Sequence, residues 1–300
     1  MRTTMNRSHL GLALFMSLVF GAGWVFGKTA TLHFSPILVA MFRFGIAGVV
    51  LVLVYGWPRV AVWKLWTASA CALGIPYSFS YIGLSQLDVS VTVLLVQLEA
   101  PVLIAMSAVL LREIPSRAAV LGIVLAVAGV SLVVGAPAAD GKYFAITMVM
   151  VSMFVWAIGQ IQVRRFGLDD GGLKLLGALC VLAVPLLLVL SLLFEADQLT
   201  EIREASTLVW LQVAYLGFGM TVVGQGIWFY LVARHPLHDV APFLLLVPAF
   251  SIAAGIVFLG ETLSAIAVVG GALIIFGVAI ATLGSPLDMM RKRLKGGPQT

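Results

Sequence analysis

The sequence predicts an all-α polytopic membrane protein: ten transmembrane helices in two inverted five-helix repeats, with both termini in the cytoplasm. Three observations carry this prediction. First, 61% of the 300 residues are hydrophobic and only 10% charged, with a mean hydropathy of +1.10. That leaves too little polar surface to cover a soluble core. Second, apolar runs of about 20 residues recur along the chain, the length a helix needs to cross a hydrocarbon layer of roughly 30 Å. They are continuous rather than alternating, which argues for helices over a transmembrane barrel. Third, the two halves of the chain resemble each other.

The spans read, in order, as 8–27, 36–56, 67–86, 90–111, 117–136, 143–163, 173–194, 208–231, 240–259 and 264–284. The first run continues as a normal span and does not read as a cleavable signal peptide. Turn chemistry marks the breaks that follow: "HFSP", "YGWPR", "REIPSR", "GAPAADGK", "GLDDGG", "RHPLHD" and "GETLS". The segment 195–207, "EADQLTEIREAST", is long and polar and reads as an external loop with a short amphipathic turn. Orientation follows from the basic residues. With the N-terminus inside, fourteen of the eighteen Lys and Arg fall on the cytoplasmic side, three (Lys28, Lys142, Arg203) fall outside, and Arg43 lies within a span. The net charge of +5 therefore reads as topology rather than as a nucleic-acid footprint. Cys71 and Cys180 sit inside apolar runs and suit packing rather than a disulfide or a metal site.

The internal repeat is visible where "REIPSRAAVLGIVLAVAGVSLVVG" overlies "GETLSAIAVVGGALIIFGVAIATLG". Glu113, Ser116, Gly122 and Gly129 match Glu261, Ser264, Gly270 and Gly277 at a constant offset of 148, and Pro101 and Pro248 align with one gap. More weakly, "VFGAGWVFGK" overlies "FVWAIGQIQVR", pairing Lys28 with Arg164. The halves run 1–138 and 139–286, followed by a basic cytoplasmic tail, 287–300. Five spans per copy invert the second copy across the membrane, a recurring architecture of secondary transporters.

Several stretches carry a family resemblance. They are the arginine in "SPILVAMFRFGIAG" and the closing "LVPAFSIAAGIVFLGETLSAIAVVGGALIIFGVAI", together with the ten-span double repeat. They resemble the EamA branch of the drug/metabolite transporter superfamily. The stretch "TVVGQGIWFYLVARHPLHDVAPFLLLVP" is similar to bacterial O-acetylserine/cysteine exporters. The resemblance covers nearly the whole chain. It implies a multi-pass protein of the cell (inner) membrane that exports a small polar metabolite such as an amino acid or derivative. Efflux of drugs, purines or other metabolites is the alternative on the same fold. The chain departs from those exporters at "QLEAP", where they carry a neutral Gln-x-Gln pattern and this sequence has Gln97 followed by Glu99.

The site candidates begin with the two charges inside spans. Glu99 is nine residues into span four, roughly 13 Å below the outer edge at the rise of a helix. A lipid-facing charge there costs about 2.5–3.5 kcal/mol on insertion scales, so Glu99 should face the bundle. Arg43 lies at similar depth in span two, and the aligned second-half positions, Leu246 and about Leu179, are apolar. Two readings stand. Either Arg43 and Glu99 form a buried ion pair that fixes helices, or they line a cavity. In a cavity Arg43 would hold a substrate carboxylate, while Glu99 would hold an ammonium group or the coupling proton. Tyr77 and Tyr81 are four apart and share a helix face, with Ser78 nearby. Gln97 lies about 160° around the helix from Glu99. Trp24, Trp156, Gln160, Gln225 and Trp228 are further lining candidates, and Pro101 and Pro248 are candidate hinges. Glu113 and Glu261 read as fold markers near helix starts.

No cofactor is expected, and His33, His235 and His238 show no metal-ligand spacing. No Walker motif is present, which excludes ATP drive by this chain alone, and no HExxH or GxSxG suggests an intramembrane enzyme. A channel would differ by lacking saturable countertransport. The partners expected are a small-molecule substrate and the bilayer, with protons as candidate coupling ion and no nucleic acid. A homodimer is compatible with the sequence but not inferable from it.

Overall fold

The computed structural model describes residues 5–168 and 171–283. The described residues form long helical segments, numbered here in chain order: α1 (Arg7–Ala30), α2 (Pro36–Tyr55), α3 (62–86), α4 (Val89–Leu110), α5 (Arg117–Val134), α6 (Tyr143–Arg165), α7 (Gly172–Phe194), α8 (Thr207–Val232), α9 (Ala241–Leu259) and α10 (Ala265–Leu283). No strand occurs among them. Nine are long and apolar enough to cross a membrane; α3 is the exception. The expected basic tail lies outside the described residues.

The α3 segment is rich in Ser, Tyr and Trp and is built in three pieces: Val62–Ser69, a π turn at Ala70–Gly74, and Ile75–Gln86. Pro76 explains the turn. It has no N–H, and its ring would press on a carbonyl one α-helical turn back, so the wider π spacing relieves the crowding. The Ile75 N–H accordingly bonds to the Ala70 carbonyl, five residues back. The helix also starts earlier than the expected 67. Its first turn is amphipathic, with Trp63 and Trp66 exposed and Lys64 lying over the Trp63 and Phe166 rings at 5.8 and 5.5 Å. The polar loop after α7 contains a short helix, Gln198–Glu204, where the sequence suggested an amphipathic turn.

Small residues set the closest helix pairs. Between α5 and α10, a methyl group at Gly129 would lie 2.5 Å from the Gly270 carbonyl, and one at Gly277 would lie 2.6 Å from that of Gly122. Between α2 and α7, one at Gly48 would lie 2.8 Å from the Val181 backbone nitrogen. Such contacts let backbones meet where lipid supplies no hydrophobic drive. The other main packings are α3 on α6, α1 on α9, α8 on α1 and α2, and the first half of α4 on the second half of α9.

We call the face where α1 begins proximal and the opposite face distal. The distal loops are heavily cross-braced. Glu195, just past α7, accepts from the N–H groups of Ile37 and Leu38 in the first turn of α2 (2.6 and 3.2 Å). Burial pushes its carboxyl above the usual range, against the pull of these donors and of Ser191. Glu201 accepts from the Ser35 N–H and hydroxyl at 2.9 and 2.6 Å. Glu261 does not serve the start of its own α10. It reaches across to the first turn of α4, accepting from the Val89 and Ser90 N–H groups and the Ser90 hydroxyl.

Candidate functional site

Arg43 sits on the first half of α2, 6% exposed. Its Nε donates to the Thr221 hydroxyl at 3.0 Å and its Nη1 to the Tyr81 hydroxyl at 3.2 Å. The guanidinium carbon stands 4.9 Å from the Tyr77 ring centroid and 5.3 Å from that of Phe44. Every one of these partners is neutral. Among the described residues no carboxylate forms an ion pair with Arg43 within 4.0 Å. Buried charges are ordinarily paired, because hydrogen bonds to neutral groups and ring quadrupoles replace only part of the lost hydration.

Three elements hold this cluster. Tyr77 and Tyr81 share one face of α3, as their spacing predicted. Thr221 comes from a π stretch of α8, Tyr215–Gly224. Its hydroxyl donates to the Leu216 carbonyl five residues back, at 2.9 Å, leaving lone pairs for Arg43. This π stretch and the π turn of α3 lie in helices that the repeat pairs, third with eighth. Beside the guanidinium is a cavity of about 10 Å³ lined by Gly23, Trp24, Ser80, Tyr81 and Met220, room for about one water molecule.

Glu99 lies at a break. All eight residues of Val89–Val96 are buried. The helix is then interrupted at Gln97–Leu98, and of the restarted Glu99–Leu110 only Pro101 is buried. The ninth helix is also broken, with the order of burial reversed: a 3₁₀ stretch Ala241–Leu246 with no buried residue precedes Val247–Leu259, in which Val247, Pro248, Ser251 and Gly255 are buried. Pro101 and Pro248 thus restart helices after a discontinuity rather than kink continuous ones. Among the described residues the Glu99 side chain makes no hydrogen bond or ion pair, and the Arg43–Glu99 ion pair weighed from the sequence is not formed. The guanidinium of Arg43 lies instead over the Tyr77 ring.

Of the other candidates, Trp24 lines the Arg43 cavity, and Gln97 marks the break in α4. Trp156, Gln160, Gln225 and Trp228 are partly buried on α6 and α8 and do not line that cavity. Ser78 turns away, donating to the Gly74 carbonyl at 2.9 Å. Thr221, Ser80, Met220 and Gly23 were not singled out from the sequence. Only the glycines around Thr221 hinted at an irregular helix. A second, larger space of about 690 Å³ opens at the proximal ends of α1, α7 and α8, with Leu12, Lys174, Gly226 and Tyr230 in its wall. Phe20 of α1 lies against Gly224 of α8: a methyl group at Gly224 would be 2.7 Å from the Phe20 ring.

Broken helices within a two-part repeat recur in secondary transporters. The model of the EamA-like transporter family matches residues 8–135 and again 143–283. The chain belongs to the EamA-like transporter family. A relative of this EamA-like chain in Salmonella typhimurium, named a probable amino-acid metabolite efflux pump, is 29% identical over 290 residues, covering 93% of this chain and 96% of the relative. The Escherichia coli protein of the same name is 26% identical over the same shares. An uncharacterised transporter of Bacillus subtilis, YvbV, is 23% identical, with 93% of each chain covered. A solved crystal structure superposes with a TM-score of 0.64 at 21% identity, over 97% of this chain and 100% of that one. Its likeness speaks for the fold. The family and the names of these relatives indicate a transporter rather than an enzyme.

Proposed function

We propose that this EamA-like transporter is a secondary active exporter of small amino-acid metabolites. In this reading it has ten spans in the cell membrane, both termini in the cytoplasm, and alternates access by moving two inverted repeats, 1–138 and 139–286. The observation that carries the substrate class is Arg43, a buried cation with only neutral partners, which suits the carboxylate of a passing substrate. The names of the two enterobacterial relatives point the same way. The inverted repeat is supported by packing that recurs when each helix is exchanged for the one five places along. Thus α1 on α8 answers α6 on α3, α1 on α9 answers α6 on α4, and α2 on α8 answers α7 on α3. The α3 segment, though too polar for a typical span, counts as the tenth because its polar face meets Arg43 rather than lipid. Glu99, unpaired at the break of α4, is the group we assign to the substrate ammonium or the coupling proton.

The test uses purified protein in liposomes with an imposed pH gradient and a panel of labelled amino acids and derivatives. Wild type should accumulate at least one carboxylate-bearing member in a saturable way and exchange it. Glu99→Gln should abolish gradient-driven accumulation while exchange survives. If Arg43→Ala and Glu99→Gln both transport normally, the site lies elsewhere and the assignment is wrong.

A further inference from the structure

Glu113, Glu261, Lys28 and Arg164 are matched pairwise by the repeat, yet the structure uses the two copies differently. On the distal face Lys28, in the last turn of α1, points its ammonium at the end of α3. It donates to the carbonyls of Leu84, Ser85 and Leu87 at 3.0, 2.9 and 2.9 Å. On the other side of the same turn, Glu261 accepts from the N–H groups of Val89 and Ser90. One cation and one carboxylate therefore clamp the α3–α4 turn at both of its helix ends, where exposed carbonyls attract positive charge and exposed N–H groups negative charge.

On the proximal face the matching residues are disengaged from the matching turn. Arg164, in the last turn of α6, bonds instead to Glu113 at 2.8 Å, with side chains 58% and 45% exposed. Among the described residues neither is bonded to the α8–α9 turn. The packing follows the clamp. The distal end of α1 meets α3 and α4, whereas no comparable packing joins α6 to α8 or α9 among the described residues. Likewise the distal halves of α4 and α9 pack together, while their proximal halves are the ones left with almost no buried residues.

We infer that Lys28–Glu261 and Arg164–Glu113 are two copies of one latch, used alternately: the first holds the distal gate shut in the form seen here, and the second holds the proximal gate shut in the opposite form. In that opposite form Arg164 and Glu113 part and clamp the α8–α9 turn. Lys28 and Glu261 release the α3–α4 turn and are left, as Arg164 and Glu113 are here, to pair with each other near the surface. The inference rests on the alternating-access reading above, and extends it by naming the groups that carry each gate. An exposed ion pair kept only as a surface staple would contribute little, so mutating it separates the two accounts.

The experiment reads gate opening without any substrate. The full-length protein is placed in nanodiscs with a single added cysteine, either Ser80→Cys in the closed cavity or Gly226→Cys in the proximal opening. The rate of reaction with a membrane-impermeant maleimide is followed, with the parent chain as blank. Lys28→Gln or Glu261→Gln should raise labelling at position 80 about tenfold and lower it at 226, the effect of losing charge-assisted bonds from one of two states. Lys28→Arg, which keeps a donor for the same carbonyls, should behave as wild type. Glu113→Gln and Arg164→Gln should shift both rates the opposite way. The exchanged pair, Glu113→Arg with Arg164→Glu, restores the surface ion pair but cannot clamp the turn, and should remain shifted.

Unchanged labelling in Glu113→Gln and Arg164→Gln overturns the latch, as does full rescue by the exchanged pair. These two variants carry the test even where Lys28→Gln does not fold. Labelling that never occurs at position 80 in any variant overturns alternating access itself. Labelling that shifts as expected while no amino acid is transported upholds the latch and removes only the substrate assignment.

Discussion

Arg43 keeps a full positive charge inside the bundle, and its surroundings make it an expensive way to hold two helices together. A scaffold needs no such group, since a well-packed apolar side chain of similar volume commonly serves as well or better. Arg43→Met is therefore expected to leave the melting temperature within a few degrees of wild type or to raise it, while transport of a carboxylate-bearing substrate falls at least tenfold, roughly the worth of one charge-assisted hydrogen bond. Thermal unfolding and uptake measured on one preparation check both halves of the statement. Thr221 supports Arg43 through a single hydroxyl, so Thr221→Val should leave Nε unsatisfied and cost about 1–3 kcal/mol of stability. Thr221→Ser should cost far less, and denaturation curves of the two variants compare them. At this scale the sequence told half the story. Arg43 stood out as a charge in an apolar span, and Tyr77 and Tyr81 were legible from their helical spacing. Thr221 was not, because the π stretch shifts the face on which it lies and no periodic pattern announces that shift.

At the scale of elements, the α5–α10 pair depends on glycines whose hydrogens face backbone. Gly129→Ala would drive a methyl into the Gly270 carbonyl. It should destabilise the protein by about 1–3 kcal/mol, as overpacking of a tight contact does, read as a lower melting temperature in detergent. Gly226→Ala, which meets nothing closer than 4.0 Å, is the matched control. The seven-residue spacing of the glycines in both copies puts them on one face of each helix and permits a close approach, but the spacing alone does not say that the two helices meet each other. The paired breaks in α4 and α9 were only half readable. The prolines marked their positions, but the interrupted turn before each proline depends on neighbouring helices that take up or expose the freed backbone groups. The early start of α3 was hidden too, because Lys64 and its tryptophans read as loop until the aromatic rings are seen to carry the charge.

Among the described residues the distal turns are the more heavily braced, although the proximal α8–α9 turn and the start of α9 are held to α1 by His9 on His235 and by the Ser17 hydroxyl on the Phe243 carbonyl, both at 2.6 Å. Carboxylates and an ammonium tie the distal turns to one another, whereas the proximal halves of α4 and α9 stand apart. A cysteine scan along α4 should show this directly. Substitutions within Val89–Val96, all buried here, should resist a water-soluble maleimide, and several within Glu99–Leu110 should react from the proximal side. Uniform reactivity along the helix would contradict the closed distal end. The succession of long apolar helices and the two copies that the family model matches were legible from apolar run lengths and the offset glycines. Which end is closed was not, since both copies carry the same closing groups and only their contacts differ.

The doubling is incomplete where it matters most. Arg43 and Glu99 face no charged counterparts, since Leu179 and Leu246 occupy the aligned positions. A carrier with perfect twofold symmetry would return to an identical molecule after each half-turn of its cycle and would treat both sides of the membrane alike. Under the alternating access proposed above, the exchange of repeats leaves the charges on one flank, so the loaded protein facing inward and the loaded protein facing outward would be different chemical environments. Loading and unloading then have unequal rates at equal concentrations. On that proposal the carrier would behave as a rectifier whose bias is written into one copy of an otherwise duplicated frame.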